Sequence, residues 1–379
     1  MHSKIVQAAV LLAILSVFVT LDEKHVQAGE VGTSSYKVLD PIRHGSLTVF
    51  PVVTARSYPT NEFLTLDEGL RSGDVVVTEA GNVQGLIRRR SVPQVRHEGA
   101  EVNRLVLVNN SNRPLLLLAG EIVTGGKQDR VIGKDRIVPA ESDPVDLSVF
   151  CVEPGRWVAT SEHFGASGAM YGGVGKTMGG PITMMAQPSV RAKAMGDKDQ
   201  GKVWAEVRKQ QDAVRMQVMA DAPPPAAAEV ASTSSYARVM ENSEVKKQVD
   251  EVAKPIDQNY QSLIRQLRDR NAVGVVVAVN GRIIWADLFA STSLLEKYWP
   301  KLVRSYASEA VVVRAKDVDV STSRAQDFLA DMEGRRETIE SEPGVYRHTE
   351  VNGDGFKAFS LTSLLPKTGF DVHVAKMAD

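Results

Sequence analysis

The sequence predicts an α+β fold with mostly antiparallel sheets, packed helices and a long flexible insertion. Short apolar, β-branched segments bounded by glycine or proline fill residues 36–157. Helical periodicity dominates residues 203–270, and strand patterns return after residue 274. Strands that precede a block of helices, with more strands after it, are typical of α+β domains and not of doubly wound sheets.

The first 28 residues are predicted to be a targeting segment. A basic start at Lys4 precedes the apolar run IVQAAVLLAILSVFVTL, and small residues around Ala28 suit a signal peptidase. We therefore expect a signal peptide over residues 1–28 and a single domain over residues 29–379, exported to the periplasm or the cell exterior. The alternative is an N-terminal membrane anchor, since the apolar run is nearly long enough to span a bilayer. After cleavage no stable membrane insertion is expected.

Strands are predicted for most of residues 36–157. SLTVFPVV and GDVVVTEA are strand patterns, and LDEGLRSG, from Leu66, predicts a short helix that ends at a glycine. NRLVLVNN and RPLLLLAG are predicted to form a hairpin, because a turn rich in asparagine and serine separates them. RIVPA and VDLSVFCVE are predicted as two further strands.

The middle of the chain predicts an interruption of this domain. Glycine and methionine dominate residues 159–201, which indicates a long flexible excursion. Valines at helical spacing from Val203 to Val218 predict the next helix. The proline, alanine and serine content of residues 221–235 predicts a linker. A separate second domain is the alternative organisation.

The last part of the chain is predicted to hold helices and two hairpins. A helical stretch from about Ser243 should break or kink at Pro255. GVVVAVNGRIIWADLF predicts a hairpin in which Asn280 and Gly281 form a type I′ turn. A helix through Pro300 follows, and then a short helix, a hairpin around VNGDG and a last strand.

Composition argues against several functional classes. The net charge is −1, which gives no bulk attraction for nucleic acid, so no nucleic-acid partner is expected. Cys151 is the only cysteine, so no intrachain disulfide can form. Histidines at close spacing and cysteine clusters are both lacking in the sequence, and we predict no metal and no cofactor.

Two apolar strands end in clusters of charge, LLLLAGEIVTGGKQDR and SVFCVEPGRW. Side chains at strand ends are held rigidly at the rim of a core, where binding groups are common. Glycine-rich turns expose amides that bind anions, and lysine and arginine suit phosphate or carboxylate. The candidate ligand-binding residues are Gly125, Gly126, Lys127, Gln128, Arg130, Arg156 and Trp157, and the candidate catalytic carboxylates are Glu121 and Glu153.

A structural role is the alternative for these charges. Glu121 and Glu153 could pair with Arg130 and Arg156 in a buried network that holds the strand register. A glutamate beside arginine would be ionised and a poor general acid, whereas a desolvated glutamate would be a better one. The residue pattern leaves both interpretations open.

These motifs resemble the family of the ARG and rhodanese-phosphatase-superfamily-associated protein domain. The family pattern combines L-D-E, G-E, G-x-K-Q-x-R and V-x-C-x-E-x-x-R-W elements. They correspond here to Leu66–Glu68, Gly120–Glu121, Gly125–Arg130 and Val149–Trp157, and a G-V-V-V-A hairpin that ends in an aspartate is similar at Gly274–Asp287. The resemblance runs from about Tyr36 over most of the chain. It implies a link to ADP-ribose or NAD-type chemistry and carries over no catalytic residue.

Two functions follow as hypotheses. The first is an exported domain that binds, or binds and hydrolyses, a small anionic, ADP-ribose-like molecule at the charged strand ends. The second is a noncatalytic exported scaffold or protein-interaction module that reaches its partners through the excursion and the linker.

Overall fold

The computed structural model describes residues 36–80, 86, 104–156, 160–161, 163–166, 184–267, 270–316 and 318–379. The predicted α+β class is confirmed within them. The strands are β1 (Tyr36–Val38), β2 (Ile42–His44), β3 (Leu47–Thr54), β4 (Leu64–Thr65), β5 (Val75–Glu79), β6 (Arg104–Asn109), β7 (Leu115–Leu117), β8 (Glu121–Gly125), β9 (Arg130–Ile132), β10 (Arg136–Val138), β11 (Val145–Cys151), β12 (His163–Ala166), β13 (Met184–Met185), β14 (Asn271–Val279), β15 (Arg282–Phe289), β16 (Arg335–Glu342), β17 (Tyr346–Gly353), β18 (Phe356–Ser363) and β19 (Asp371–Ala378). The helices are α1 (Leu66–Ser72), α2 (Pro188–Ala192), α3 (Gln200–Gln217), α4 (Pro224–Ala231), α5 (Tyr236–Glu241), α6 (Ser243–Gln266), α7 (Thr292–Val311) and α8 (Thr322–Ala330), with a π-helical segment at Lys193–Asp197.

The largest sheet joins both ends of the described chain. Its strand order is β1-β3-β14-β15-β19-β18-β17-β16, with β2 on β3, and every pairing is antiparallel. The predicted hairpin between β14 and β15 is confirmed, because Asn280 and Gly281 have φ angles of 50° and 74°. The helix α7 packs on this sheet through β14 and on α6.

A closed six-stranded antiparallel barrel forms beside that sheet. Successive pairings join β12, β5, β6, β11, β9 and β8, and β8 pairs back to β12. Val77, Leu107, Val123, Val149 and Phe164 belong to the apolar cluster of the barrel strands. The barrel places the ends of β5, β8 and β11 near one another, and these are the strands that carry the predicted site.

The hairpin predicted from NRLVLVNN and RPLLLLAG is wrong. The first segment, β6, pairs with β5 and β11, whereas the second, β7, pairs with β4 and β10 in a separate three-stranded sheet. The Asn109 side chain donates hydrogen bonds to the carbonyls of Arg113 and Pro139 and holds the chain where it crosses between the sheets. Both segments are apolar on both faces, so their pattern could not distinguish the strand partners.

The predicted excursion and linker are wrong over most of their described residues. Residues 184–201 form β13, α2 and the π-helical segment, and Met185, Val190 and Met195 are buried in the main core. Residues 167–183 of the excursion lie outside the described residues. Residues 221–235 include the helix α4, whose Val230 is fully buried. Methionine and alanine there fill core space, although their composition suggested a loose chain.

The helix α6 continues through Pro255 without the predicted break. Among the described residues, no helix combines the length and apolarity needed to cross a membrane.

Candidate functional site

Two glycines form the turn between β8 and β9, where anion-binding amides were predicted. Gly125 and Gly126 have φ angles of 119° and 50°, and a Cβ on Gly126 would lie 2.2 Å from the Phe164 ring. Three consecutive amides, of Gly125, Gly126 and Lys127, point to oxygen acceptors.

Those acceptors are side chains of the protein itself. The Gly125 amide donates to Asp129 Oδ1 at 3.1 Å, and the Lys127 amide donates to Glu79 Oε1 at 3.0 Å. The Gly126 amide donates to Ser161 Oγ at 3.1 Å. The loop therefore receives two carboxylates from within the fold, neither of them among the predicted site residues.

The end of β11 converges on the same turn. Glu153 Oε2 accepts hydrogen bonds from the Asp129 amide at 3.1 Å and from Arg156 Nη2 at 2.5 Å. Arg156 Nη1 donates to the Gly126 carbonyl at 2.9 Å, and Gln128 Nε2 donates to the Glu153 carbonyl at 3.1 Å. The predicted pair of Glu153 with Arg156 is thus present, and we call Glu79, Gln128, Asp129, Glu153 and Arg156 the turn cluster.

The turn cluster is mostly shielded from solvent. The side chain of Arg156 is 17% exposed and that of Glu153 is 5% exposed. Burial raises the pKa of Asp129, and the nearby charge of Glu153 raises it further, against the hydrogen bond from Ser235. Arg130 is fully buried on β9. Trp157 lies outside the described residues. The role of these residues in ligand binding stays a prediction.

Glu121 belongs to a different group of charges. Its carboxylate contacts Lys301 on α7, and Lys301 Nζ lies 2.8 Å from Asp67 Oδ2 on α1. Glu121 Oε2 also accepts the Leu118 amide at 2.8 Å. Burial is the main cause of the raised pKa of Glu121, and Asp67 adds to it against Lys301. The predicted alternative that paired Glu121 with Arg130 is wrong, because its cation comes from a helix 180 residues further along the chain.

A third charged group lies in the core beneath the large sheet. Arg191 makes two 2.9 Å hydrogen bonds to Asp287, and His373 bridges Asp287 and Asp135 at 3.2 and 2.5 Å. The side chains of all four are fully buried, and Tyr306 donates to Asp287. We call Arg191, Asp287, His373 and Asp135 the core ion chain.

The core ion chain should make stability depend on pH. Burial alone would lower the pKa of His373, but Asp135 and Asp287 outweigh it and raise that pKa to about 9. Because this exceeds the unfolded value of about 6.5, the stabilisation is complete below pH ~6.5 and is lost as the pH rises through about 9. Between these two pH values, this one proton should make the free energy of unfolding fall by about 1.4 kcal/mol per pH unit.

Urea unfolding of the wild type and of His373→Gln between pH 6 and pH 9 measures this dependence. We expect the difference in unfolding free energy between the two proteins to shrink as the pH rises. Other titrating groups, including Lys376 with its pKa lowered by burial to about 8, are common to both proteins and cancel in that difference. A difference that stays constant over this range would contradict the assignment.

A cavity of about 230 Å³ lies where the barrel meets the large sheet. Its apolar lining comes from Phe150 on β11, Met195 in the π-helical segment, Ile339 on β16 and Phe359 on β18. A Cβ on Gly133 would lie 2.8 Å from the Phe150 ring, so glycine at this position leaves room for the ring in the cavity wall.

The polar lining of this cavity is positive or neutral. Lys134 pairs with Glu340, and Lys198 Nζ lies 2.7 Å from Glu350 Oε2. His348 on β17 is 1% exposed, and neither ring nitrogen has a hydrogen-bond partner within the described part of the chain. His348 was not among the predicted site residues, because a histidine within a strand gives no local sign that its ring lacks a partner.

Within the described residues, no group of three or more histidine, cysteine, aspartate or glutamate side chains could hold a metal ion.

Comparison with known proteins identifies the family and nothing more specific. No curated protein and no solved structure matches the chain significantly. The family model of the ARG and Rhodanese-Phosphatase-superfamily-associated Protein domain matches residues 35–376. The chain therefore belongs to this family, as its motifs predicted.

Proposed function

We propose that this chain binds a small organic anion and that the cavity beside His348 is its site. The observation that carries the proposal is the buried imidazole of His348, which has no hydrogen-bond partner within the described residues. An unsatisfied buried polar group costs roughly 1–3 kcal/mol. A ligand that forms a hydrogen bond with this ring would offset that cost, which is a common reason for such a group at a binding site.

The charge of the lining supports an anion. Lys134 and Lys198 line the cavity, whereas no carboxylate is among its described lining residues. Glu340 and Glu350 pair with these lysines and are not among the lining residues, so a ligand in the cavity would face ammonium groups rather than carboxylates. Ammonium groups bind carboxylates and phosphates through charge-assisted hydrogen bonds.

The cavity size limits the ligand. Pockets for drug-sized ligands span roughly 300–1,000 Å³, and this cavity has about 230 Å³. A whole ADP-ribose molecule would exceed this space, so we propose a smaller anion than the family name suggests. Hydrolysis by Glu121 and Glu153 is not part of the proposal, because these two carboxylates contact different groups of partners. Export through residues 1–28 is part of it and rests on the sequence pattern alone.

Replacing His348 with leucine is expected to stabilise the free protein and abolish its response to ligand. Leucine of similar size removes the unsatisfied nitrogens, so the unfolding free energy should rise by about 1 kcal/mol or more. In the wild type, an anion at a hundredfold excess over its Kd adds about 2.7 kcal/mol, or roughly 4 °C in melting temperature. A thermal-shift screen with carboxylates, sugar phosphates, nucleotides and ADP-ribose measures both effects.

His44→Gln is the matched control, because His44 is exposed on β2. This variant should keep both the wild-type stability and the wild-type ligand shift. A screen in which no anion stabilises the wild type would refute the proposed function. A ligand shift that survives in His348→Leu would refute the location of the site.

A further inference from the structure

We infer that the anion bound in this cavity is a monocyclic aromatic carboxylate, with its ring between the apolar walls and its carboxylate against His348 and the two lysines. This inference rests on the proposed function and names the chemical class of ligand. Three properties of the cavity support it, namely its ring-lined walls, its volume and its limited positive charge.

Aromatic and sulfur-containing side chains dominate the apolar walls. Phe150, Phe359 and Met195 line the cavity, and the His348 ring centroid lies 5.9 Å from that of Phe359 at a tilt of 30°. Aromatic rings prefer tilted or offset ring partners at such distances, and a thioether gains from contact with a ring edge. A flat ring therefore gains more from these walls than a flexible alkyl chain of equal size.

The volume admits one ring and one small substituent. An apolar cavity of about 150 Å³ is large enough to bind benzene. The cavity beside His348 has about 230 Å³, which leaves about 80 Å³ beyond a benzene ring. A carboxylate fits in that remainder.

The available charge favours a single negative charge. The ammonium groups of Lys134 and Lys198 are already paired with Glu340 and Glu350, so the lysines are partly neutralised. A phosphate monoester would bring a charge of about −1.5 to −2, which exceeds what two paired lysines can balance. A carboxylate brings one charge and two acceptor oxygens, which suit one imidazole N–H and one ammonium.

Proton uptake offers an independent sign that the carboxylate contacts His348. The charged groups that act on His348 are Asp135, Glu340, Lys134 and Lys198, and burial lowers its pKa in the free protein. A bound carboxylate favours the protonated ring and raises that pKa again. Calorimetry in two buffers of different ionisation enthalpy should then show proton uptake on binding near pH 7 that is absent in His348→Leu.

Isothermal titration of the full chain with a matched ligand series tests the inference. Benzoate is the probe, with benzamide, acetate, cyclohexanecarboxylate, phenyl phosphate and 2-naphthoate for comparison. We expect benzoate to bind most tightly, and we expect benzamide and acetate to bind at least about tenfold more weakly, because each lacks either the charge or the ring.

Two lysine variants complete the experiment and should fold normally, because the side chains of Lys198 and Lys202 are 46% and 60% exposed. Lys198→Gln should weaken benzoate binding by about tenfold. Lys202→Gln should leave it unchanged, because Lys202 pairs with Asp197 and is not among the lining residues. Equal benzoate affinity of these two variants would overturn the inference.

The outcomes separate this inference from the proposed function. If acetate or phenyl phosphate binds with a response lost in His348→Leu while benzoate does not bind, the ligand class is wrong and the proposed function stands. If neither these probes nor any anion of the wider screen binds the wild type, both fail.

Discussion

Replacing Asp287 with asparagine should lower the free energy of unfolding by about 3–5 kcal/mol. Asp287 is the only described carboxylate in direct contact with Arg191, which is itself fully buried. Asparagine keeps the shape of the side chain but leaves the guanidinium without an opposite charge, 4.3 Å from the Trp285 ring centroid. A buried unpaired charge is among the most destabilising changes a single substitution makes.

Urea unfolding monitored by circular dichroism measures this loss. Asp212→Asn is the matched control, because Asp212 pairs with Arg215 at 2.8 Å while both side chains are substantially exposed, at 65% and 38%. An exposed pair contributes about 0–1 kcal/mol. Equal losses in the two variants would show that the core ion chain does not carry the expected stabilisation.

Replacing Lys301 with methionine should cost a similar amount, about 3–5 kcal/mol. Burial alone would lower the pKa of Lys301, but Glu121 and Asp67 outweigh it and raise that pKa, so the ammonium is charged. Methionine fills the space and leaves two buried carboxylates without their cation. We also expect the loss to diminish at low pH, where the carboxylates of the variant become protonated.

Lys297→Met, one helical turn earlier on α7, is the control for this substitution. Lys297 pairs with Glu68, the residue next to Asp67, but its side chain is 27% exposed. Its replacement should cost no more than about 1 kcal/mol. A larger loss in Lys297→Met than in Lys301→Met would contradict the dependence on burial.

The residues that carry the family resemblance lie mainly in these buried groups. Asp67 and Glu121 contact Lys301, and Glu153 contacts Arg156 in the turn cluster. Gly120 has a φ of 96°, and a Cβ there would lie 2.5 Å from Arg191 Cγ, so this glycine lets Arg191 pass toward Asp287. The motif residues therefore form buried ion pairs that hold parts of the fold together. For that reason we propose that the ligand binds elsewhere, in the cavity beside His348.

The core ion chain joins α2, β15 and β19, and Lys301 joins α7 to α1 and β8. Burying charge is costly, and it stabilises a fold only where the partners and hydrogen bonds are in place. Removing one residue from either group should therefore lower the stability of the fold. The cavity beside His348 differs, because its polar group lacks such a partner within the described residues and is expected to gain one from a ligand.

The sequence by itself determined the fold class, the turn at Asn280 and Gly281, and the pair of Glu153 with Arg156. Those features depend on local periodicity and on neighbours close in the chain. Only the tertiary structure decided that Glu121 pairs with Lys301, that β6 and β7 separate, and that residues 184–201 enter the core. The local sequence pattern indicates that a residue is buried, but it does not indicate which distant residue lies beside it. For the same reason, the cavity and the unpartnered ring of His348 could not be predicted from the sequence.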